Sequence, residues 1–237
     1  MNKNIILEVR RELKKQADAK TKQSFPRSFK EKIKFHGVKS ALVVKTAREY
    51  FKKIKGLNKK EVFTLCEELL KSGYCEESWV AANWVYWRHK DFEPVDFNIF
   101  ERWVSQYIDN WTSCDTFCNH TMGIFMEKYP EYLQKLKLWA KSKNRWVKRA
   151  SAVSLIIPAK NGLFIKDVFA IADILLLDPD DLVQKGYGWL LKVAANKHLT
   201  EVFNYVVKHK KEMPRTALRY AIEKMPLHLK KEAMKKD

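Results

Sequence analysis

Apolar residues recur three and four positions apart along almost the whole chain, with polar residues between them. That spacing lays them along one stripe of a helix. NIILEVRRELKKQ opens the series. In VVKTAREYFKKI the stripe holds Val44, Ala47, Tyr50 and Phe51, and in KKEVFTLCEELLKS it holds Val62, Leu65, Cys66 and Leu69. The same spacing predicts helices over WVAANWVYWRH, FNIFERWVSQYI, TFCNHTMGIFMEKY, EYLQKLKLWAKS, RWVKRASAVSLII, IKDVFAIADILLL, DDLVQKGYGWLLKVAA, LTEVFNYVVKHKK and PRTALRYAIEKM. No segment keeps a two-residue alternation, so no sheet is expected. The breaks are short: KGLN, SGY, FEP, NG and DPDD.

Five of these helices align on a small or compact residue: Ala82, Thr116, Ala150, Gly186 and Ala217. The successive spacings are 34, 34, 36 and 31, the range of two-helix repeats. The period predicts an all-α chain, a right-handed α-solenoid of HEAT-like repeats with a concave basic groove. An irregular helical bundle is the alternative, because the residue identities repeat poorly. The whole of 1–237 is read as one repeat domain, with 1–24 as an N-terminal helix able to cap the array and 230–237 as a basic tail.

Composition narrows the function. Lys and Arg number 46 against 28 Asp and Glu, a net charge of +18. So large an excess favours a polyanionic partner, nucleic acid or an anionic membrane surface. Hydrophobic residues make up 46% and aromatic residues 13%, which excludes a disordered chain. Seven glycines and seven prolines are few for this length and agree with helices joined by short turns. Nothing reads as a signal peptide, and no apolar run approaches the roughly 20 residues of a membrane span. The four cysteines need no disulfide. A soluble cytoplasmic monomer is expected.

The stretch NWTSCDTFCNH, 110–120, reads as a helix start that Thr112 or Ser113 could cap. Trp111 and Asp115 lie one turn apart on it. Asp115 is either an acid that stabilises the helix N-terminus or a site carboxylate. The repeat register aligns Asp115, Arg149 and Lys185, each with a partner one turn earlier or later: Trp111, Arg145 and Trp189. Any one tryptophan could be core and Arg149 could be a solvated face; the register is what groups them. Cys114, Cys118 and His120 do not make a metal site, since His120 lies about 200° around the helix from Cys114 and no fourth ligand is placed. No Walker A, GxGxxG or GxSxG pattern occurs, and no cofactor is expected.

Four local patterns, KFHGVK at 34–39, NWTSCD at 110–115, NRWVKRASAV at 144–153 and KGYGWLLK at 185–192, are together similar to the AlkD-type DNA alkylation repair family. That family includes DNA glycosylases built of HEAT-like repeats. The family's glycine after an aromatic pair resembles Gly37, its catalytic Trp-x-x-x-Asp resembles Trp111 and Asp115, its DNA-contacting arginine resembles Arg149, and its second site tryptophan resembles Trp189. With Lys39, Arg145, Lys148 and Lys185 as further phosphate contacts, the resemblance implies a monofunctional glycosylase acting on N3- or N7-alkylated purines in duplex DNA. The chain departs from the family at SALVV, 40–44, at Phe29, where active members can present a tyrosine, and at Asn110. A non-catalytic helical-repeat scaffold that binds DNA, RNA or an acidic protein partner is the other reading. Only the glycosylase explains a carboxylate in a basic groove.

Overall fold

A computed structural model describes residues 3–235. Among these residues the chain is helical, with no strand and one isolated bridge between Lys34 and Tyr74. The contacts divide it into two compact units, 1–117 and 118–237.

The first unit contains α1 (Lys3–Gln16), α2 (Ala19–Ser24), α3 (Ser40–Ile54), α4 (Lys59–Leu70), α5 (Cys75–Tyr86), α6 (Asp96–Gln106) and α7 (Trp111–Phe117). The expected single helix over 1–24 is broken, because Asp18 adopts an extended conformation and caps α2 through Thr21 N. Asn58 and Glu61 form a reciprocal capping box at the start of α4. Helix α5 packs against α3, α4 and α7, and accordingly almost all its faces are buried. Phe63, Phe92, Phe100, Trp103 and Phe117 build an aromatic core, with ring centroids 5.1–6.4 Å apart and mostly edge-to-face. Trp84 is fully buried and donates its indole N–H to Ala47 O at 2.8 Å.

The second unit opens with a π-helical turn, Cys118–Met122, that leads into α8 (Gly123–Lys128). It continues with α9 (Leu133–Ala140), α10 (Arg145–Val153), α11 (Ile156–Lys160), α12 (Ile165–Leu175), α13 (Asp181–Ala194), α14 (Leu199–His209), α15 (Arg215–Ile222) and α16 (Leu227–Met234). The helix expected over RWVKRASAVSLII is split between Val153 and Ile156, ahead of Pro158. The tail expected from 230 onward is helical to Met234; Lys236 and Asp237 lie outside the described residues. Helix α13 packs on α10, α12 and α15. A Cβ on Gly188 would lie 2.7 Å from Tyr220 Cβ and 2.8 Å from Ala217 O, so glycine is what lets α13 and α15 approach this closely.

The five helices picked out by the 31–36-residue period are α5, α7, α10, α13 and α15. Within the first unit α5 packs on α7; within the second, α10 packs on α13 and α13 on α15. Ala82, Ala150, Gly186 and Ala217 are buried, whereas Thr116 is half-buried and donates its hydroxyl to Thr112 O.

Candidate nucleic-acid interface

Helix α7 begins at Trp111 because Asn110 caps it. The buried Asn110 side chain accepts hydrogen bonds from Ser113 N at 2.9 Å and from the Thr112 hydroxyl at 2.7 Å. This corrects the expectation that Thr112 or Ser113 would cap the helix. The Ser113 hydroxyl is instead 2.6 Å from that of Ser78, joining α7 to α5. Asp115 lies beyond the first turn of α7.

Trp111 and Asp115 come together on one side of α7. With Ser40, Val44, Trp79, Asn83, Thr112 and Thr116 they line an open cleft of about 290 Å³. Both are half-buried. Trp111 is held on two sides: its indole N–H donates to Ser28 O at 3.2 Å, and Phe29 stacks on its ring at 5.6 Å and 28°. Phe25 extends this aromatic wall, 5.0 Å from Phe29, 5.4 Å from Phe35 and edge-on to Trp79 at 5.8 Å. Trp79 and Asn83, on α5, are cleft-lining residues that the sequence reading missed. Their i, i+4 spacing in WVAANW was there to be read, but it is also the spacing of any packed helix face.

KFHGVK is a turn wrapped around a buried carboxylate. Glu76, 1% exposed, accepts hydrogen bonds from the backbone N–H groups of His36, Gly37 and Val38 at 2.8–3.1 Å. Gly37 has φ +91°, which brings successive N–H groups onto one anion. The His36 ring stacks on Tyr74 at 4.2 Å and bonds Glu77 Oε1 at 3.1 Å, while Arg10 Nε donates to Glu77 Oε2 at 2.9 Å. Burial pushes the Glu77 carboxyl up, but the His36 and Arg10 hydrogen bonds outweigh it and leave it below its ordinary range. Lys39, at the N-cap position of α3, is exposed.

The remaining candidates lie in the second unit, and most of the cations among them are paired. Arg145 Nη2 donates to Asp180 Oδ1 at 3.0 Å, and its Nε is 2.7 Å from Oδ2. Lys148 pairs with Asp178, and Lys185 with Asp181 at 3.1 Å. The DPDD turn thus supplies a carboxylate to each. Asp180 also caps α13 by accepting from Leu182 N and Val183 N. Arg149 is only 5% exposed; its Nη1 donates to Leu182 O, and its stem packs over Gly186, where a Cβ would meet Cγ at 3.4 Å. Trp189 is half-buried on α13. Among the described residues no group of three or more His, Cys, Asp or Glu side chains could hold a metal ion, and all four cysteines are buried thiols. No described helix is long and apolar enough to cross a membrane.

An all-helical chain with a tryptophan–carboxylate cleft and a strong basic excess suits a polyanionic partner such as nucleic acid. A family model for "DNA alkylation repair enzyme" matches residues 9–225, so the chain belongs to the DNA alkylation repair enzyme family. A solved structure described as "Predicted DNA alkylation repair enzyme from Enterococcus faecalis" superimposes with a TM-score of 0.78 at 15% identity. The match covers 90% of this chain and 98% of that one, a likeness of fold. No curated protein matches the chain.

Proposed function

We propose that the protein is a monofunctional DNA glycosylase that hydrolyses the N-glycosidic bond of N3- or N7-alkylated purines in duplex DNA. The observation that carries this reading is the pairing of Trp111 with Asp115 in an open cleft, within a chain of the DNA alkylation repair enzyme family. An N3- or N7-alkylated purine is a cation and leaves as a neutral base, so its departure needs no general acid. One carboxylate is therefore enough. As the bond breaks, positive charge develops on the deoxyribose, as in glycoside hydrolysis. Asp115 stabilises that charge and positions the attacking water. Trp111, fixed by Phe29 and the Ser28 carbonyl, offers its π-face to the same cationic centre.

In this reading Trp189 and Arg149 carry the roles the resemblance implies, cradling the sugar and holding the DNA backbone. Arg145, Lys148 and Lys185 exchange their aspartate partners for phosphates, and Lys39 adds an exposed charge. The HEAT-like solenoid with a basic groove is the architecture this function uses, supported by the helix period and the +18 charge. The Phe29–Trp111 stack favours the second reading, a DNA-binding relative without excision, because one face of the site tryptophan is already covered. Release of 7-methylguanine and 3-methyladenine from methylated duplex DNA by the purified protein separates the two. Free base accumulating with enzyme and time supports the glycosylase; tight duplex binding with no release supports the scaffold.

A further inference from the structure

We infer that the 18–37 loop is a preformed arm that grips the DNA backbone beside the cleft, with Arg27 and Lys32 as its phosphate contacts. This rests on the reading of duplex DNA as the substrate, and neither residue has a role in the chemistry proposed above. The loop begins where Asp18 breaks the N-terminal helix and ends in the KFHGVK turn. Its two ends are joined, because Asp18 N donates to Gly37 O at 2.9 Å. Glu76, on α5, holds the far end through the N–H groups of His36, Gly37 and Val38. The segment between is thus a closed loop tied to the helix that forms one wall of the cleft.

The loop separates its apolar side chains from its charged ones. Phe25, Phe29 and Phe35 are half-buried, with Phe25 packed on both of the others. Phe25 meets Trp79 and Phe29 stacks on Trp111, and both tryptophans line the cleft. The cations stay in solvent. The twenty residues of 18–37 carry six lysines and arginines against two acids, more than twice the net charge density of the whole chain. Arg27 and Lys32 are exposed and form no ion pair among the described residues. Arg27 directly precedes Ser28, whose carbonyl accepts the Trp111 indole N–H.

These two cations differ from the candidates of the second unit. Arg145, Lys148 and Lys185 each hold an aspartate and must exchange one anion for another to take a phosphate. An unpaired, solvated cation has no such partner to give up, so it keeps the full gain from releasing the counterions of DNA. A lysine or arginine on a flexible tail also loses conformational freedom on binding. Here the aromatic packing and the two tied ends have already ordered the backbone that carries them. A phosphate held at Arg27 places its strand next to Trp111, the ring assigned to the lesion nucleotide. The loop therefore sets where the duplex lies on the cleft, a contact that carries no base sequence information.

The test is binding of the full-length protein to an unmethylated duplex, read by fluorescence anisotropy across a salt series. Arg27→Gln combined with Lys32→Gln removes both charges of the arm. Lys52→Gln combined with Lys60→Gln removes two charges from exposed positions on α3 and α4 and controls for net charge. The arm pair is expected to flatten the log–log salt slope by about 1.8, two contacts at about 0.9 each, and to weaken binding at least about tenfold near 0.1 M salt. The control pair is expected to change the slope by less than half as much. Arg27→Lys with Lys32→Arg keeps both charges and is expected to bind as the parent does. If the glutamine pair does not fold, each single substitution carries the same test, at about 0.9 in slope. Equal losses from the arm and control pairs overturn the proposal, and so does an arm pair that binds as the parent does. Release of methylated bases is measured separately. Release by the parent alongside either of those binding results leaves the proposed function standing. The expected loss of slope in a protein that releases no base keeps the arm and overturns the glycosylase.

Discussion

At the scale of single residues, the buried Glu76 shows how much one side chain can organise. Its carboxylate satisfies three backbone N–H groups of the KFHGVK turn, and those groups would otherwise be buried without acceptors. Glu76→Ala removes the acceptor and leaves all three unpaired. The expected cost is ~3–5 kcal/mol in chemical denaturation, in the range for breaking a buried charged network. Glu76→Gln is expected to cost less, because its amide oxygen still accepts while its NH2 faces a donor. The sequence could not show this. KFHGVK was legible as a motif with a glycine at 37, but its partner lies about 40 residues away on another helix, and no local spacing links the two. Trp79 was hidden in a similar way: most of the eight tryptophans must pack helices, and nothing in their spacing marks the one whose buried indole N–H lacks a partner among the described residues.

At the scale of helices, the apolar period located most of the elements, since a three-and-four spacing sustained over ten residues admits few other structures. It could not place their ends. Asn110 rather than Thr112 or Ser113 caps α7, because the side chain of the residue just outside the helix reaches the Ser113 N–H, which has no partner within the helix. Val153 and Ile156 belong to two helices rather than one. The small-residue slot was legible, but the closest helix approach lies two residues further on, at Gly188. Gly188→Ala would drive a methyl group into Tyr220 and the Ala217 carbonyl. A loss of ~1–3 kcal/mol is expected, read as a lower denaturation midpoint, against the gain that Gly→Ala gives inside an open helix. A midpoint equal to or above the parent's would show that α13 and α15 have room to move apart. The DPDD turn escaped prediction for another reason. It reads as a break between helices, and its ion pairs with Lys148 and Arg145 are set by how α10 meets α13, while Asp181 pairs with Lys185 one turn along α13 itself.

For the whole molecule, charge governs both stability and binding. Glu67 receives Arg102 through two hydrogen bonds of 2.6 and 2.8 Å, with Trp103 and Tyr107 also donating. Arg102 foremost, opposed by partial burial and helped by the other two donors, holds the Glu67 carboxyl down to about 2, against an ordinary 4.5. A carboxyl whose folded pKa lies below its unfolded one stabilises the fold fully above the unfolded value and loses that contribution as pH falls through the folded one. Glu77 acts in the same direction. Denaturation midpoints are therefore expected to fall as pH drops from about 4.5 toward 2, and Glu67→Gln to reduce that fall. Duplex binding is expected to weaken steeply with salt, with a log–log slope of about −0.9 for each phosphate neutralised. A flat salt response would point to a protein partner instead. The central claim is that Asp115 stabilises positive charge in a glycosylase reaction, and single-turnover release of 7-methylguanine and 3-methyladenine by the Asp115→Asn variant tests it most directly. The substitution keeps the side chain's shape and removes its charge. Release is expected to slow by roughly two to three powers of ten, about 3–4 kcal/mol of transition-state stabilisation, while duplex binding stays equal or tightens. Release at the parent rate from a folded Asp115→Asn protein would contradict the account.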